Sequence, residues 1–205
     1  MTPVRRRLLS TLTMSAALAA GCAGSSAAAP KAGDQNAADA AQGIQEKKEG
    51  DLTVKTFDLF HEGRPDVWEY SQTVSGPDGK PVQRLVRKEM DLNDDGKVDV
   101  WRWYDDKERV VKEALDLDFD GKVDEIIYFD DKGEPVKKEL ALDFKGKPNT
   151  WKYYEKGKLV RVERDTKGTG RVDTWEYWEG GKIDRIGVDT DGDGVVDQWV
   201  KQPAT

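Results

Sequence analysis

The sequence predicts an all-β protein, an antiparallel meander of about five to six tandem β-hairpin repeats of 24–25 residues. Three observations carry this prediction. A unit reading D-x-D-x-D-G-x-V-D-x-W can be traced six times, starting at Asp58, Asp91, Asp116, Ala141, Asp165 and Asp189, with one longer first spacing. Between the acidic stretches run short segments rich in Trp, Tyr, Val and Thr, residues that suit a pleated strand. No helical apolar period is found beyond the N-terminal 21 residues. Self-similarity at a fixed period marks a repeat array and takes precedence over other fold assignments. The pattern leaves open whether the sheet is single-layered, curls, or coils into a solenoid.

Residues 1–21 stand apart. Arg5, Arg6 and Arg7 form a positive segment, and an apolar run from Leu8 to Leu18 follows that is too short to span a bilayer. Ala19, Ala20 and Gly21 then lead into Cys22, the single cysteine of the chain. This arrangement resembles the lipobox of bacterial lipoproteins, with Ala19 three residues before the cysteine and Leu18 one step further back. The resemblance implies a signal peptide over 1–21, cleavage after Gly21, and lipidation of Cys22 as the membrane anchor. Ala23, in place of aspartate after the cysteine, implies sorting to the outer membrane. A lone cysteine given over to lipid leaves no disulfide, so stability must come from packing, strand pairing or metal.

From Cys22 to Gly50 the chain is mostly Ala, Gly, Ser, Gln, Asp and Lys, with no aromatic residue and only Ile44 β-branched. Such a stretch cannot bury enough apolar surface to offset its ordering entropy, and it reads as a flexible linker. Residues 51–205 then form the repeat domain. Each full repeat has an acidic loop (116–121), a strand (172–178), a turn (105–108, 130–133, 155–157 or 179–181) and a return strand (158–164). Two strands per repeat give roughly eleven. The extra residues of the first copy fall around 75–81 and read as a longer hairpin loop.

The acidic loops are the best candidates for chemistry. Carboxylates at positions 1, 3 and 5 of a tight loop converge on one point, and glycine at position 6 permits the sharp turn. Like charges so close repel unless a cation sits among them, and an all-oxygen set suits Ca²⁺. Three copies are near-complete: Asp91, Asn93, Asp95 and Asp99; Asp116, Asp118, Asp120 and Asp124; Asp189, Asp191, Asp193 and Asp197. These loops resemble the calcium loops of EF-hands, dockerins and thrombospondin type 3 repeats. They depart from the EF-hand at position 12, where Arg102, Ile127 and Val200 replace a bidentate glutamate, and in lacking flanking helices. Aspartate at position 9 takes the glutamate's place, as the thrombospondin resemblance implies. Affinity on the order of 10⁻⁴–10⁻³ M is expected. The other copies (Asp58, Phe60, Glu62; Ala141, Asp143, Lys145; Asp165, Lys167, Thr169) are degraded, which keeps open a second reading as acidic turns shaped by Asp and Gly.

Trp68, Trp101, Trp151, Trp175 and Trp199 share one repeat position, and Tyr70, Trp103, Tyr128, Tyr153 and Tyr177 follow two residues later. Period two places both sets on one strand face as an aromatic ladder, with Glu69, Arg102, Lys152 and Glu176 toward solvent. The hairpins around Trp151, Tyr153, Trp175 and Tyr177 resemble the W-x-Y-Y-x-x-G-K units of MORN-type and choline-binding cell-wall repeats. The choline-binding resemblance implies aromatic residues that cage a ligand, and exposed aromatics could also stack on the sugar rings of a surface glycan; packing is the alternative.

Composition narrows the function class. The formal net charge of −7 disfavours nucleic acid and favours cations. Past residue 50 there are two serines, Ser71 and Ser75, one histidine, His61, and no cysteine, too few parts for nucleophilic catalysis. The expectation is a non-enzymatic, membrane-anchored envelope lipoprotein with calcium-binding loops, acting as a structural or interaction module. A glycan- or cell-wall-binding module is the alternative.

Overall fold

The computed structural model describes residues 43–201, and Cys22 and the signal segment lie outside them. The chain forms thirteen strands and no helix among these residues: β1 (Ile44–Glu49), β2 (Leu52–Phe57), β3 (Val67–Ser75), β4 (Pro81–Met90), β5 (Val100–Tyr104), β6 (Val110–Leu115), β7 (Glu125–Phe129), β8 (Pro135–Leu140), β9 (Thr150–Glu155), β10 (Lys158–Arg164), β11 (Thr174–Glu179), β12 (Lys182–Val188) and β13 (Gln198–Lys201). They make one open antiparallel sheet in strict sequence order, so the array is a single-layered meander and not a coil. At about 4.8 Å per strand the sheet is roughly 58 Å across.

Three expectations are corrected. Strand pairing reaches back past residue 51 to Ile44, because 44–49 pair along their whole length with β2. That strand is almost entirely exposed and charged, held by backbone pairing and not by burial, so composition could not reveal it. Its lysines also suit an unprotected sheet edge. The strands number thirteen, not about eleven. The extra residues of the first repeat lengthen its strands to 9 and 10 residues and leave the turn ordinary. That turn closes with the Gly76 N–H on the Lys80 carbonyl, the same span as the Asp105–Arg109 turn.

Register explains the aromatic pattern. One row across the sheet reads Trp68, Glu89, Trp101, Ala114, Ile126, Glu139, Trp151, Glu163, Trp175, Gly187, Trp199. The next row on the same face reads Tyr70, Arg87, Trp103, Lys112, Tyr128, Lys137, Tyr153, Arg161, Tyr177, Arg185. Every first strand therefore supplies a ring and every return strand a cation. Arg87 lies 3.8 Å over Tyr70, Arg161 4.2 Å over Tyr153, Lys112 4.6 Å over Trp103 and Arg185 4.8 Å over Tyr177. Cations alternating with rings let a sheet without a second layer stabilise its open face.

The charged residues expected toward solvent occupy the opposite face, where they pair across strands. Lys88 bonds Glu69 at 3.0 Å, Arg164 bonds Glu176 at 3.0 Å, and Arg102 pairs with Glu113. Each of the five hairpins from β3 to β12 carries a register shift just past the second ring, as between Trp103 and Tyr104. Such bulges bend the strand and raise its twist. They also break strict alternation, so Tyr104, Phe129, Tyr154 and Trp178 fit after the ladder residues.

Candidate metal centres

All six acidic loops line one edge of the sheet and share one backbone scaffold. The position-9 N–H donates to the residue before position 1, as Asp124 does to the Leu115 carbonyl at 2.8 Å. The position-1 N–H donates to the position-9 carbonyl of the preceding loop, as Asp116 does to Asp99 at 2.8 Å. Position 4 is left-handed in His61, Asp94, Phe119, Phe144 and Gly168, with φ from 55° to 67°, and in Gly192 at 84°.

Two side chains clamp that backbone. The position-1 carboxylate accepts the position-6 glycine N–H: Gly63 on Asp58, Gly96 on Asp91, Gly121 on Asp116, Gly170 on Asp165 and Gly194 on Asp189, at 2.6–2.7 Å. The position-9 carboxylate accepts the position-2 N–H: Leu59 on Asp66, Leu92 on Asp99, Leu117 on Asp124, Thr166 on Asp173 and Thr190 on Asp197. Asn149 does the same for Leu142 in the fourth copy. Both clamps occur in the degraded first and fifth copies as in the intact ones, and the fourth, with Ala141 at position 1, keeps only the position-9 clamp, so these bonds build the loop whether or not metal binds.

Positions 3 and 5 differ. They are exposed, and they cap only N–H groups two residues on, as Asp118 does for Asp120 and Asp120 for Lys122. The first copy keeps its clamps with Phe60 and Glu62 in these places. Extra carboxylates at 3 and 5 are therefore surplus to folding.

Among the described residues two groups of three aspartates bring ligand oxygens within 4.8 Å of one another: Asp116, Asp118 and Asp120, and Asp189, Asp191 and Asp197. Asp124 and Asp193 stand beside these groups in their loops without joining the mutual cluster. Asp91, Asn93, Asp95 and Asp99 share a loop in which Asn93 supplies an amide oxygen and not a carboxylate.

The third loop has a further property that sequence reading missed. Asp116 and Asp124 are each 4% exposed, and in both Oδ1 is buried with no hydrogen-bond partner. In the second and sixth loops the corresponding position-1 oxygen, on Asp91 and Asp189, takes the position-4 N–H. In the fifth loop the corresponding position-9 oxygen, on Asp173, takes the hydroxyls of Thr166 and Thr174. The third loop has Leu117 and Glu125 at those two places, with no hydroxyl to offer. Asp99 Oδ1, 1% exposed in the second loop, is orphaned in the same way. Buried anionic oxygens without donors are costly, and a cation removes that cost.

Internal cations also reach these loops. Position 7 is basic in five of six copies, and its side chain crosses to the next loop. Arg64 bonds Asp94, and Arg171 lies 3.4 Å from the Gly192 carbonyl. Lys97 packs where a Cβ on Gly121 would stand, its Cδ only 3.2 Å from that point. Lys122 pairs with Asp120, and that pairing holds the Asp120 carboxyl below its ordinary range. Thr190's hydroxyl and then its N–H do the same for Asp197. Both groups thus stay ionised to lower pH, as a hard cation requires.

The four aromatic candidates converge as well. Trp151 and Trp175 flank Glu163 in register, and Glu163 accepts from the Tyr153 hydroxyl at 2.9 Å and pairs with Arg161 at 3.1 Å. A shallow depression of about 350 Å³ lies beside them, lined by Tyr153, Tyr154, Val160, Arg161 and Tyr177. His61 is an exposed loop residue, away from any carboxylate cluster of the kind above.

No protein-family model matches the chain, and no curated protein matches it. Solved structures with some likeness include a GtfA/B complex bound to UDP and GlcNAc, at 9% identity and TM-score 0.39 over 59% of this chain. Others are the accessory secretory protein 1, 2 and 3 complex of Streptococcus pneumoniae (11%, TM-score 0.28, 72% of this chain) and a porin-like protein from Bacteroides uniformis (10%, TM-score 0.22, 77% of this chain). The chain spans 24% and 19% of the first two and 92% of the third. At TM-scores this low the matches say nothing about the activity of this chain.

Proposed function

We propose that this protein is a lipid-anchored protein of the bacterial cell envelope, sorted to the outer membrane, whose acidic loops bind Ca²⁺ and stiffen a structural or interaction module. The observation that carries the metal reading is the third loop. It combines three convergent carboxylates with two buried, unpartnered oxygens, on Asp116 and Asp124. Asp116, Asp118 and Asp120 would hold the ion, with the unpartnered oxygen of Asp124 in the same loop. All donors are oxygens from carboxylates, a hard set that suits Ca²⁺ over softer metals. The anchor reading rests on Cys22 and its preceding residues.

The test is a thermal melt of the full chain, followed by Trp fluorescence, in EGTA, in Ca²⁺ and in Mg²⁺. At a hundredfold excess over its dissociation constant calcium adds about 2.7 kcal/mol, a rise of roughly 5–10 °C. Equal melting in all three would reduce the loops to turns. A second reading, glycan binding at the depression beside Tyr153 and Tyr177, is supported by that depression alone. It predicts Trp quenching by glycan that persists in EGTA.

A further inference from the structure

We infer that the loop edge of the sheet is a membrane-contacting edge, on which apolar loop tips of the first four repeats rest in the interface of a lipid bilayer. Position 2 is leucine in those four copies, and Leu59, Leu92, Leu117 and Leu142 are 60%, 57%, 53% and 53% exposed. Phe119 and Phe144, at position 4, are 43% and 48% exposed. Of the twelve exposed large hydrophobic residues, seven stand in these four loops, whereas the turn edge has only Val82 and Val136 beside its turns. The last two repeats carry Thr166, Gly168, Thr190 and Gly192 at the same positions.

The fold does not need these side chains. The fifth loop keeps its clamps with Thr166 and Gly168 in their place. Phe119 and Phe144 sit in left-handed backbone at φ 63° and 55°, where a bulky residue is strained and glycine is not. Two strained, half-exposed phenylalanines in a conformation that glycine fills in later copies point to something outside the sheet.

The route of the chain identifies the occupant. Gly43, where the described residues begin, accepts the Asp58 N–H at 3.0 Å, so the N-terminal segment enters the fold at the loop edge, beside Leu59. Only twenty residues separate it from Cys22. An anchor there sets this edge nearer the bilayer than the turn edge. The exposed leucines and phenylalanines all stand in the four repeats nearest that entry, and the last loop adds only Val195. Half-exposed Leu and Phe settle about 5–10 Å into the headgroup–acyl boundary. The inference rests on the lipid-anchor reading, and not on calcium.

The test uses the full chain in proteoliposomes of phosphatidylethanolamine and phosphatidylglycerol. Leu117→Cys, Phe119→Cys and, on the turn edge, Lys107→Cys each introduce a thiol for an environment-sensitive fluorophore. Shallow spin-labelled lipid should quench the probe at 117 or 119 roughly twofold and leave that at 107 unchanged. Equal, weak quenching at all three in a membrane-bound protein overturns the edge contact. Quenching in native membranes but not in lipid-only vesicles overturns it in favour of a protein partner. The anchor reading fails separately: the unsubstituted chain would then take up label at Cys22 and leave the vesicles.

Discussion

The third and fifth loops are two solutions of one backbone problem. Both fix the position-6 glycine with the position-1 carboxylate, at 2.7 Å on Asp116 and 2.6 Å on Asp165. Both fix position 2 with the position-9 carboxylate, at 2.8 Å on Asp124 and 3.0 Å on Asp173. The fifth loop then finishes internally, with two threonine hydroxyls on Asp173 Oδ1 at 2.8 and 2.9 Å. The third adds Asp118 and Asp120 and leaves two buried oxygens without donors. One loop is complete by itself, and the other has room and charge for a cation. The difference lies in Asp118 and Asp120, which the turn does not need, and in the second oxygens of the clamps themselves.

The largest test of this contrast is Asp173→Ala. It strips four donors of their acceptor in a loop that has no metal to fall back on, and should cost about 3 kcal/mol in urea unfolding, with or without calcium. A loss below about 0.5 kcal/mol would show that the position-9 clamp does not shape the loop.

Asp124→Asn should behave in the opposite way. Asparagine already serves at Asn149, where its oxygen takes the Leu142 N–H. In EGTA the substitution removes a buried unpaired charge and should stabilise by about 1 kcal/mol. The calcium-dependent rise in melting temperature from this loop should vanish. A variant destabilised in EGTA would mean that the orphaned oxygens are satisfied in solution without metal.

The smallest expected effect lies at the far edge, where the turns need no metal. The Asp105 carboxyl is pulled from its ordinary value down to about 2, first by the Arg109 N–H, then by its guanidinium. A group whose pKa is lower folded than unfolded adds stability above its unfolded value, and that stability disappears as pH falls through the folded one. The contribution of Asp105 is therefore present above about pH 4 and lost toward pH 2. Asp105→Asn should flatten this part of the acid unfolding profile, compared at pH 5, 3 and 2. An unchanged profile would remove Asp105 from the acid response.

Much of the molecule was legible before any coordinates. The repeat period, the hairpins and the shared face of Trp and Tyr follow from local rules, because each strand pairs with its sequence neighbour and the side-chain period is fixed by the pleat. The acidic loops were legible for the same reason: all their ligand candidates lie within nine residues. Strand β1 was not, since an edge strand such as Ile44–Glu49 needs only a partner's backbone and leaves almost no compositional trace.

What the tertiary structure alone decided are relations between repeats. The sequence shows Arg161 and Tyr153 but not that register sets a guanidinium over a ring. It shows Lys97 and Gly121 but not that one packs where the other lacks a side chain. The cleanest sequence copy is the last loop, yet its Asp189 and Asp197 oxygens are met by its own N–H groups and the Thr190 hydroxyl. The loop with two unmet buried oxygens is the third, and which oxygen of each carboxylate finds a donor is settled only by how the folded loop sets Asp116 and Asp124. Nor could the sequence show that the pairing of Gly43 with Asp58 starts β1 at the edge that carries the exposed leucines. Spacing along the chain fixes what each repeat is made of; packing between repeats fixes which charges are satisfied.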